Sequence, residues 1–388
     1  MAAPGRDGQK LTAMSRIRVA IVAPTLDILG GHSVQAQRLL ESWRDDPDVE
    51  AWLVPINPIP PGVFRAALRI KYARTLVTEA TYIPLLVREL ARADVVHIFS
   101  ASYSSFLLAP LPAMLVARAL GRPVVLNYHS GEAADHLERS AIARAALARV
   151  ASIAVPSPFL ARVFARFGLP ATVVPNIIDL DRFAFAERRP LRPRFLSTRN
   201  LGYPYNVACT LRAFRAIQDR RPDASLTVVG SGPDEAALRQ LTVELSLTNV
   251  RFVGRVEPDR MAGIYADHDI YIQTPDIDNM PLSVIEAFAS GLPVVSTEAG
   301  GMSDILQHGR QGLLTPVNDH EAIARAALDL LEAPDLARQF AREAHAMCAG
   351  YTWTAARQRW LPIYRSASVG GQRRSVSVSD APGAHRRA

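Results

Sequence analysis

Two acids, Asp278 and Glu286, stand eight positions apart in the stretch from Asp267 to Gly301, DHDIYIQTPDIDNMPLSVIEAFASGLPVVSTEAGG. The β-branched and aromatic run from His268 to Thr274 reads as a buried strand, and Pro293 to Thr297 as another. Between them, Ser283 to Ser290 has room only for a short helix stopped by Gly291. Pro281 suits its first turn, where an N–H would have no partner anyway. A helix start fed by a loop at the carboxyl end of a strand offers free backbone N–H groups to an anion. Asp278 lies in that loop and Glu286 in the helix. Two acids so spaced are also what a solvated helix and its N-terminus carry. Two more reactive side chains follow strand ends, where parallel sheets bind ligands. One is Arg199, whose guanidinium is always charged and forks onto phosphate oxygens. The other is His129, in Asn127-Tyr-His-Ser-Gly-Glu132; a lone histidine is more often structural, and His136 is a nearby rival.

The elements that must position these residues alternate along the whole chain. In the first half, strands are expected at Arg18 to Pro24, Ala51 to Val54, Asp94 to Phe99, Pro123 to Tyr128 and Val150 to Pro156. The loop Thr25 to Gly30 leads into Gly31-His32-Ser33 and a helix from Val34 to Trp43. In the second half, strands are expected at Arg194 to Thr198, Ser225 to Val229 and Asn249 to Val253. Strand–helix alternation of this kind predicts parallel, doubly wound sheets, and 388 residues predict two domains. Gly30 and Gly31 form a phosphate-type turn in principle, although a plain turn glycine fits them equally well. The dinucleotide pattern G-x-G-x-x-G is missing there, which argues against NAD. Gly230-Ser-Gly reads as a strand-to-helix turn.

The string from Asp278 to Gly301, acid, short helix, acid, A-F-A-S-G-L-P-V-V-S-T and Gly-Gly, resembles the donor-site signature of family-4 retaining glycosyltransferases with the GT-B fold. The resemblance runs from residue 17 to about 365 and includes Ala171 to Asp179, Arg251 to Arg255 and Gly312 to Pro316. It implies two Rossmann-like domains facing across a cleft, with a C-terminal helix crossing back to the first. It implies that Glu286 holds the ribose hydroxyls of a nucleotide sugar and Asp278 the hydroxyls of the sugar. Asn279, Met280, Pro281, Leu282 and Ser283 would meet the phosphates, and Arg199 the diphosphate. His129 would reach the reacting centre, and Gly30, Gly31 and Asn176 would complete the donor site. The catalytic set is then His129, Arg199 and Asp278. Three departures stand out. The first acid is usually Glu, Ile177 replaces a glycine after Asn176, and Tyr205 stands where a second phosphate-binding cation is usual, a lysine six positions after the arginine. No lysine lies between Arg199 and the C-terminus.

Composition narrows the partners. Of a formal net charge of +7, three charges lie in residues 1–18 and three in 367–388, leaving one for the body. The basicity therefore belongs to Ser/Gly/Arg-rich ends expected to be disordered, and nucleic acid is rejected as a partner. Two cysteines, Cys209 and Cys348, make no disulfide framework and point to a reducing compartment. Residues 1–15 do not read as a signal peptide, and mean hydropathy is near zero. In Pro61 to Arg92, basic residues alternate with aliphatic and aromatic ones. That could be a face for a lipid-linked acceptor or an anionic membrane, or simply a helix with its basic side outward.

The resulting expectations are these. Residues 16–187 with helix 352–366 form the acceptor domain, and 188–351 the nucleotide-sugar donor domain. A hinge lies in Ala184 to Pro193, and tails occupy 1–15 and 367–388. The chain is a cytoplasmic glycosyltransferase, at most peripheral to the inner membrane face, with a glycan, lipid-linked or small-molecule acceptor. It needs no metal or cofactor. A GT-B sugar-nucleotide epimerase or hydrolase, or a catalytically silent GT-B binding protein, are the alternatives.

Overall fold

A computed structural model describes residues 16–27, 31–59, 62 and 71–379. Gly30, both expected tails as far as residue 15 and from residue 380, and most of the 61–70 segment lie outside the described residues.

The first domain carries strands β1 (Ile17–Ala23), β2 (Val49–Pro55), β3 (Val95–Ser100), β4 (Val124–Tyr128), β5 (Ser152–Val155) and β6 (Thr172–Val173). Around them lie helices α1 (Gly31–Trp43), α2 (Lys71–Leu90), α3 (Tyr103–Leu108), α4 (Pro110–Ala119), α5 (Ala133–Arg139), α6 (Ala141–Leu147) and α7 (Pro158–Arg166). The strands pair in the order β2-β1-β3-β4-β5-β6, all parallel. Helices cover both faces, so β3 and β4 are buried at every residue and are mostly apolar on both faces rather than alternating, with His97, Ser100 and Asn127 as buried polar exceptions.

The second domain holds β7 (Arg194–Thr198), β8 (Ser225–Val229), β9 (Val250–Gly254), β10 (Ile270–Gln273), β11 (Val294–Thr297) and β12 (Gly312–Thr315). Its helices are α8 (Val207–Arg220), α9 (Glu235–Glu244), α10 (Met261–Ala266), α11 (Leu282–Ser290), α12 (Met302–Ile305), α13 (His320–Glu332) and α14 (Pro334–Met347). The order is β12-β11-β10-β7-β8-β9, again parallel. Chain direction outward from the centre reverses between β7 and β10. That is the switch point at which such sheets leave a crevice for ligands.

Two passages join the domains. Ile178 and Phe183 already pack in the core of the second domain, and the Ile178 N–H donates to the Tyr351 carbonyl at 2.8 Å. The segment expected as a hinge is fastened there as well: buried Arg188 donates to the carbonyls of His268, Tyr265 and Ser290. The return passage is α15 (Trp353–Ser379), which lays Ala356, Trp360, Leu361 and Tyr364 against β1, β3 and Trp43. Tyr364 Oη meets His97 Nδ1 at 2.6 Å. Arg357 pairs with Asp46 and Asp48. The helix crosses back as expected but continues to Ser379, so the tail does not begin at residue 367. Gly370 and Gly371 lower helix propensity without stopping the helix, and no proline follows Pro362 until after Ser379.

Candidate active site

The crevice at the β7/β10 switch point is lined by the turn after β7 and by the loop from β10 into α11. Arg199 leaves β7 with its N–H on the Val229 carbonyl at 3.0 Å. The G-x-G turn lies directly beneath it. A Cβ on Gly230, at φ +139°, would fall 1.9 Å from the Arg199 carbonyl, so only glycine allows this approach. Across the crevice, Gly300, at φ +59°, plays the same part for the acid loop. Its Cβ would lie 2.1 Å from the Asp278 carbonyl, and the Gly301 N–H donates to that oxygen at 2.8 Å. The Gly-Gly that trails the motif is thus the seat of Asp278.

Arg199 is nearly buried and makes three contacts. Nη2 pairs with Asp278 Oδ2, Nη1 donates to Ser283 Oγ at 3.0 Å, and the guanidinium lies 4.2 Å over the Tyr205 ring. Its Nε is buried with no partner. Tyr205 therefore does not replace the expected lysine electrically; it offers the arginine a flat face. Burial pushes the Asp278 carboxyl above its usual range, against the pull of Arg199 and of the Asn279 N–H at 2.8 Å.

α11 starts at Leu282 with Pro281 just ahead of it as the capping residue, not inside the first turn, and Gly291 at φ +78° ends it. The N–H groups of Leu282 and Ser283 precede the first helical hydrogen bonds and point into the crevice end of the helix. One turn on, Glu286 is nearly buried and doubly bonded. Arg38 Nη2 donates to Oε1 at 3.3 Å, and Tyr265 Oη to Oε2 at 3.2 Å. Burial raises the Glu286 carboxyl, with Arg38 drawing it back. The single hydroxyl hydrogen of Tyr265 has a second acceptor in reach, the Ser283 carbonyl at 3.1 Å, and Thr198 Oγ1 lies 3.0 Å from the same oxygen. One polar network therefore runs from Arg38 through Glu286, Tyr265 and Ser283 to Arg199 and Asp278.

The first domain closes onto this loop. Asn279 Nδ2 donates to the His129 carbonyl at 3.4 Å and its Oδ1 meets Ser157 Oγ. Asn176 Nδ2 donates to the Met280 carbonyl at 3.2 Å. Arg162 Nη2 donates to Asp304 at 3.0 Å. The His129 ring lies 5.3 Å from those of His32 and Phe99, and its Nε2 is buried without a partner. Burial, then the neighbouring His32 and His97, hold His129 well below the usual histidine range, so it is a neutral imidazole. The rival, His136, is tied by Nδ1 to Tyr128 Oη at 2.8 Å and belongs to the packing under α5.

The expected residues thus converge: Arg199, Asp278, Asn279, Met280, Pro281, Leu282, Ser283 and Glu286 on one side, His129 and Asn176 on the other. Gly31 opens α1 but is exposed, and a Cβ there would meet nothing within 4 Å. The chain's own atoms do not demand glycine at that point. Sequence reasoning missed Arg38, Gln35 and Tyr265. Gln35 grips Ile177 through both backbone groups, at 2.8 and 2.7 Å, and Arg38 Nη1 donates to the same carbonyl at 2.9 Å. No motif marks these positions. Among the described residues, no cluster of three His, Cys, Asp or Glu could hold a metal ion, and no helix is long and apolar enough to cross a membrane.

Comparison with known proteins agrees with this geometry. Residues 16–182 match the model of Glycosyltransferase Family 4, and residues 182–347 that of Glycosyl transferases group 1. The chain is 25% identical to the phosphatidyl-myo-inositol mannosyltransferase of Mycolicibacterium smegmatis, over 93% of this chain and 97% of that protein. It is 24% identical to the sulfoquinovosyl transferase SQD2 of Arabidopsis thaliana, over 95% of this chain and 76% of the other. In fold it is similar to Anabaena Alr3699/HepE solved with UDP-glucose, at TM-score 0.70 and 17% identity, covering 91% of this chain and all of that one. With the two family models meeting at residue 182, where the structure passes from one domain to the next, the chain belongs to the group 1 glycosyltransferases and is a nucleotide-sugar transferase of the GT-B fold.

Proposed function

We propose that the chain transfers a glycosyl group from a nucleoside-diphosphate sugar to a hydroxyl of a glycan or lipid-linked acceptor, with retention of anomeric configuration. The observation that carries this reading is the meeting of Arg199 with the N-terminus of α11 at the switch point of the second sheet. A diphosphate seated there faces a fixed guanidinium and the free N–H groups of Leu282 and Ser283. These are preorganised donors for the charge that grows as the sugar leaves. Glu286 accepts from the ribose hydroxyls and Asp278 from hydroxyls of the sugar. The neutral His129 donates through one ring nitrogen to an oxygen near the anomeric carbon. The bond from that carbon to phosphate breaks, the bond to the acceptor oxygen forms on the same face, and the departing phosphate oxygen takes the acceptor proton. The scheme needs no resident metal or cofactor.

The acceptor side is open to lipid. A similar protein is named for a phosphatidyl-inositol acceptor, and in this chain Ile83 and Val87 on α2 are exposed beside Arg88. Contact with the inner face of a membrane would suit such an acceptor. The test is incubation with a panel of UDP-, GDP- and ADP-sugars, with and without acceptor hydroxyls, reading nucleotide release and the anomeric configuration of the product. Acceptor-dependent release with retained configuration is expected. Release that ignores acceptor, or an inverted product, overturns the proposal.

A further inference from the structure

Arg38 is the one cation of the first domain bonded to a donor-site acid among the described residues, and nothing in the motif accounts for it. Its side chain is 11% exposed, and its two terminal nitrogens do different things. Nη1 is anchored on the Ile177 carbonyl at 2.9 Å, while Nη2 reaches across the domain boundary to Glu286 at 3.3 Å. Gln35, one turn earlier on α1, holds Ile177 by both backbone groups, so the anchor is stiff. The Arg38 fork is therefore delivered to the crevice by a braced element.

Its bond to Glu286 occupies the carboxylate that ribose hydroxyls would take. Glu286 lies one helical turn, about 5.4 Å, beyond the N–H groups of Leu282 and Ser283. An arginine displaced from Glu286 by ribose must swing about that distance, letting go of the Ile177 carbonyl as it does so, to face phosphate at the helix N-terminus. Position 205, the place for a second phosphate cation, holds a tyrosine, and Arg199 is already paired with Asp278. We infer that Arg38 is a donor-binding residue, the second cation for the diphosphate, supplied by the opposite domain. On donor binding it passes from Glu286 to a phosphate oxygen. Binding of the diphosphate thereby also draws the two domains together.

This inference rests on the proposed function, and its test separates the two. UDP, GDP and ADP and their nucleosides are titrated calorimetrically into the full-length chain, into Arg38→Ala and into Arg38→Lys, at two salt concentrations. The tightest-bound diphosphate should lose about ten- to a hundredfold in affinity in Arg38→Ala. Its nucleoside should keep its affinity or gain, because Glu286 is freed. The salt dependence of diphosphate binding should flatten, since one charge contact is gone. Arg38→Lys should recover part of the affinity. Equal losses for nucleoside and diphosphate would make Arg38 a structural brace and overturn the inference. So would an unchanged diphosphate affinity, and either result leaves the donor reading standing. A wild-type chain that binds no diphosphate overturns both.

Discussion

Replacing Arg199 by lysine keeps the charge and removes the geometry. The arginine donates to Asp278 and to Ser283 Oγ from two nitrogens while its plane lies 4.2 Å over Tyr205. A single ammonium can satisfy Asp278 or Ser283 but not both in that arrangement, and it stacks poorly. The loss amounts to one charge-assisted hydrogen bond, about 1.5–3 kcal/mol, and part of a desolvated cation–π contact, about 1–2 kcal/mol. Removing one preorganised stabiliser of a developing anion typically costs about 2.7–4 kcal/mol in the transition state. The expected fall in kcat/KM is therefore about a hundred- to a thousandfold for Arg199→Lys, and at least as much for Arg199→Ala. The assay is initial nucleotide release from the best sugar nucleotide at saturating acceptor. Circular dichroism confirms that the variants fold. Rates for Arg199→Lys within threefold of wild type would refute the view that the fork matters.

Three other perturbations test neighbouring parts of the argument. Glu286→Ala should weaken nucleoside binding in calorimetry by about 1.5–3 kcal/mol, and an unchanged affinity would return Glu286 to a purely structural pairing with Arg38. Gly300→Ala puts a methyl 2.1 Å from the Asp278 carbonyl at φ +59°; strain of about 1–3 kcal/mol should lower the melting temperature and cut turnover further by moving Asp278, and wild-type turnover would contradict the seat described here. Burial holds His97 at about 3 and His32 at about 4, so neither takes a proton that the unfolded chain accepts below about 6.5. Stability should therefore fall as pH drops from about 6.5, by about 1.4 kcal/mol per pH unit for the fully buried His97. Melting curves at pH 7.5 and 5.5 should show this, and His97→Gln should flatten the slope; an unchanged slope would show that His97 titrates normally.

The sheets and the donor loop were legible because their signals are local. β10 and β11 are short apolar runs bounded by Gly and Pro, and the acids sit at fixed offsets from them. The same local logic placed Arg199 and His129 after their strands. What failed was of two kinds. Pro281 belongs one position earlier, and α15 runs past residue 366, because helix ends depend on capping and packing that spacing does not encode. Arg38, Gln35 and Tyr265 were missed because their roles arise between residues 18 to 248 positions apart. On α1, Arg38 looks like any exposed helix arginine; only the closure of one domain on the other gives it a carboxylate partner.

That closure decides what the crevice can recognise. Two guanidinium groups and two carboxylates, Arg38, Arg199, Asp278 and Glu286, balance to zero in a nearly dry space. Buried charges of this kind persist only while each is paired, and stranding one costs several kcal/mol. A diphosphate that takes a guanidinium leaves a carboxylate without its cation, and a hydroxyl that takes a carboxylate leaves a guanidinium without its anion. A ligand carrying both phosphates and sugar hydroxyls, one helical turn apart, relieves both deficits at once. Pyrophosphate alone and nucleoside alone should therefore each bind weakly. The nucleoside diphosphate should bind more tightly than the sum of their binding free energies predicts, after allowance for the entropy of joining them. Calorimetry with the three ligands on wild-type protein measures this directly. Nucleoside binding as tightly as the diphosphate would show that the acids hold ribose without surrendering their cations, and the exchange of partners would have to be abandoned.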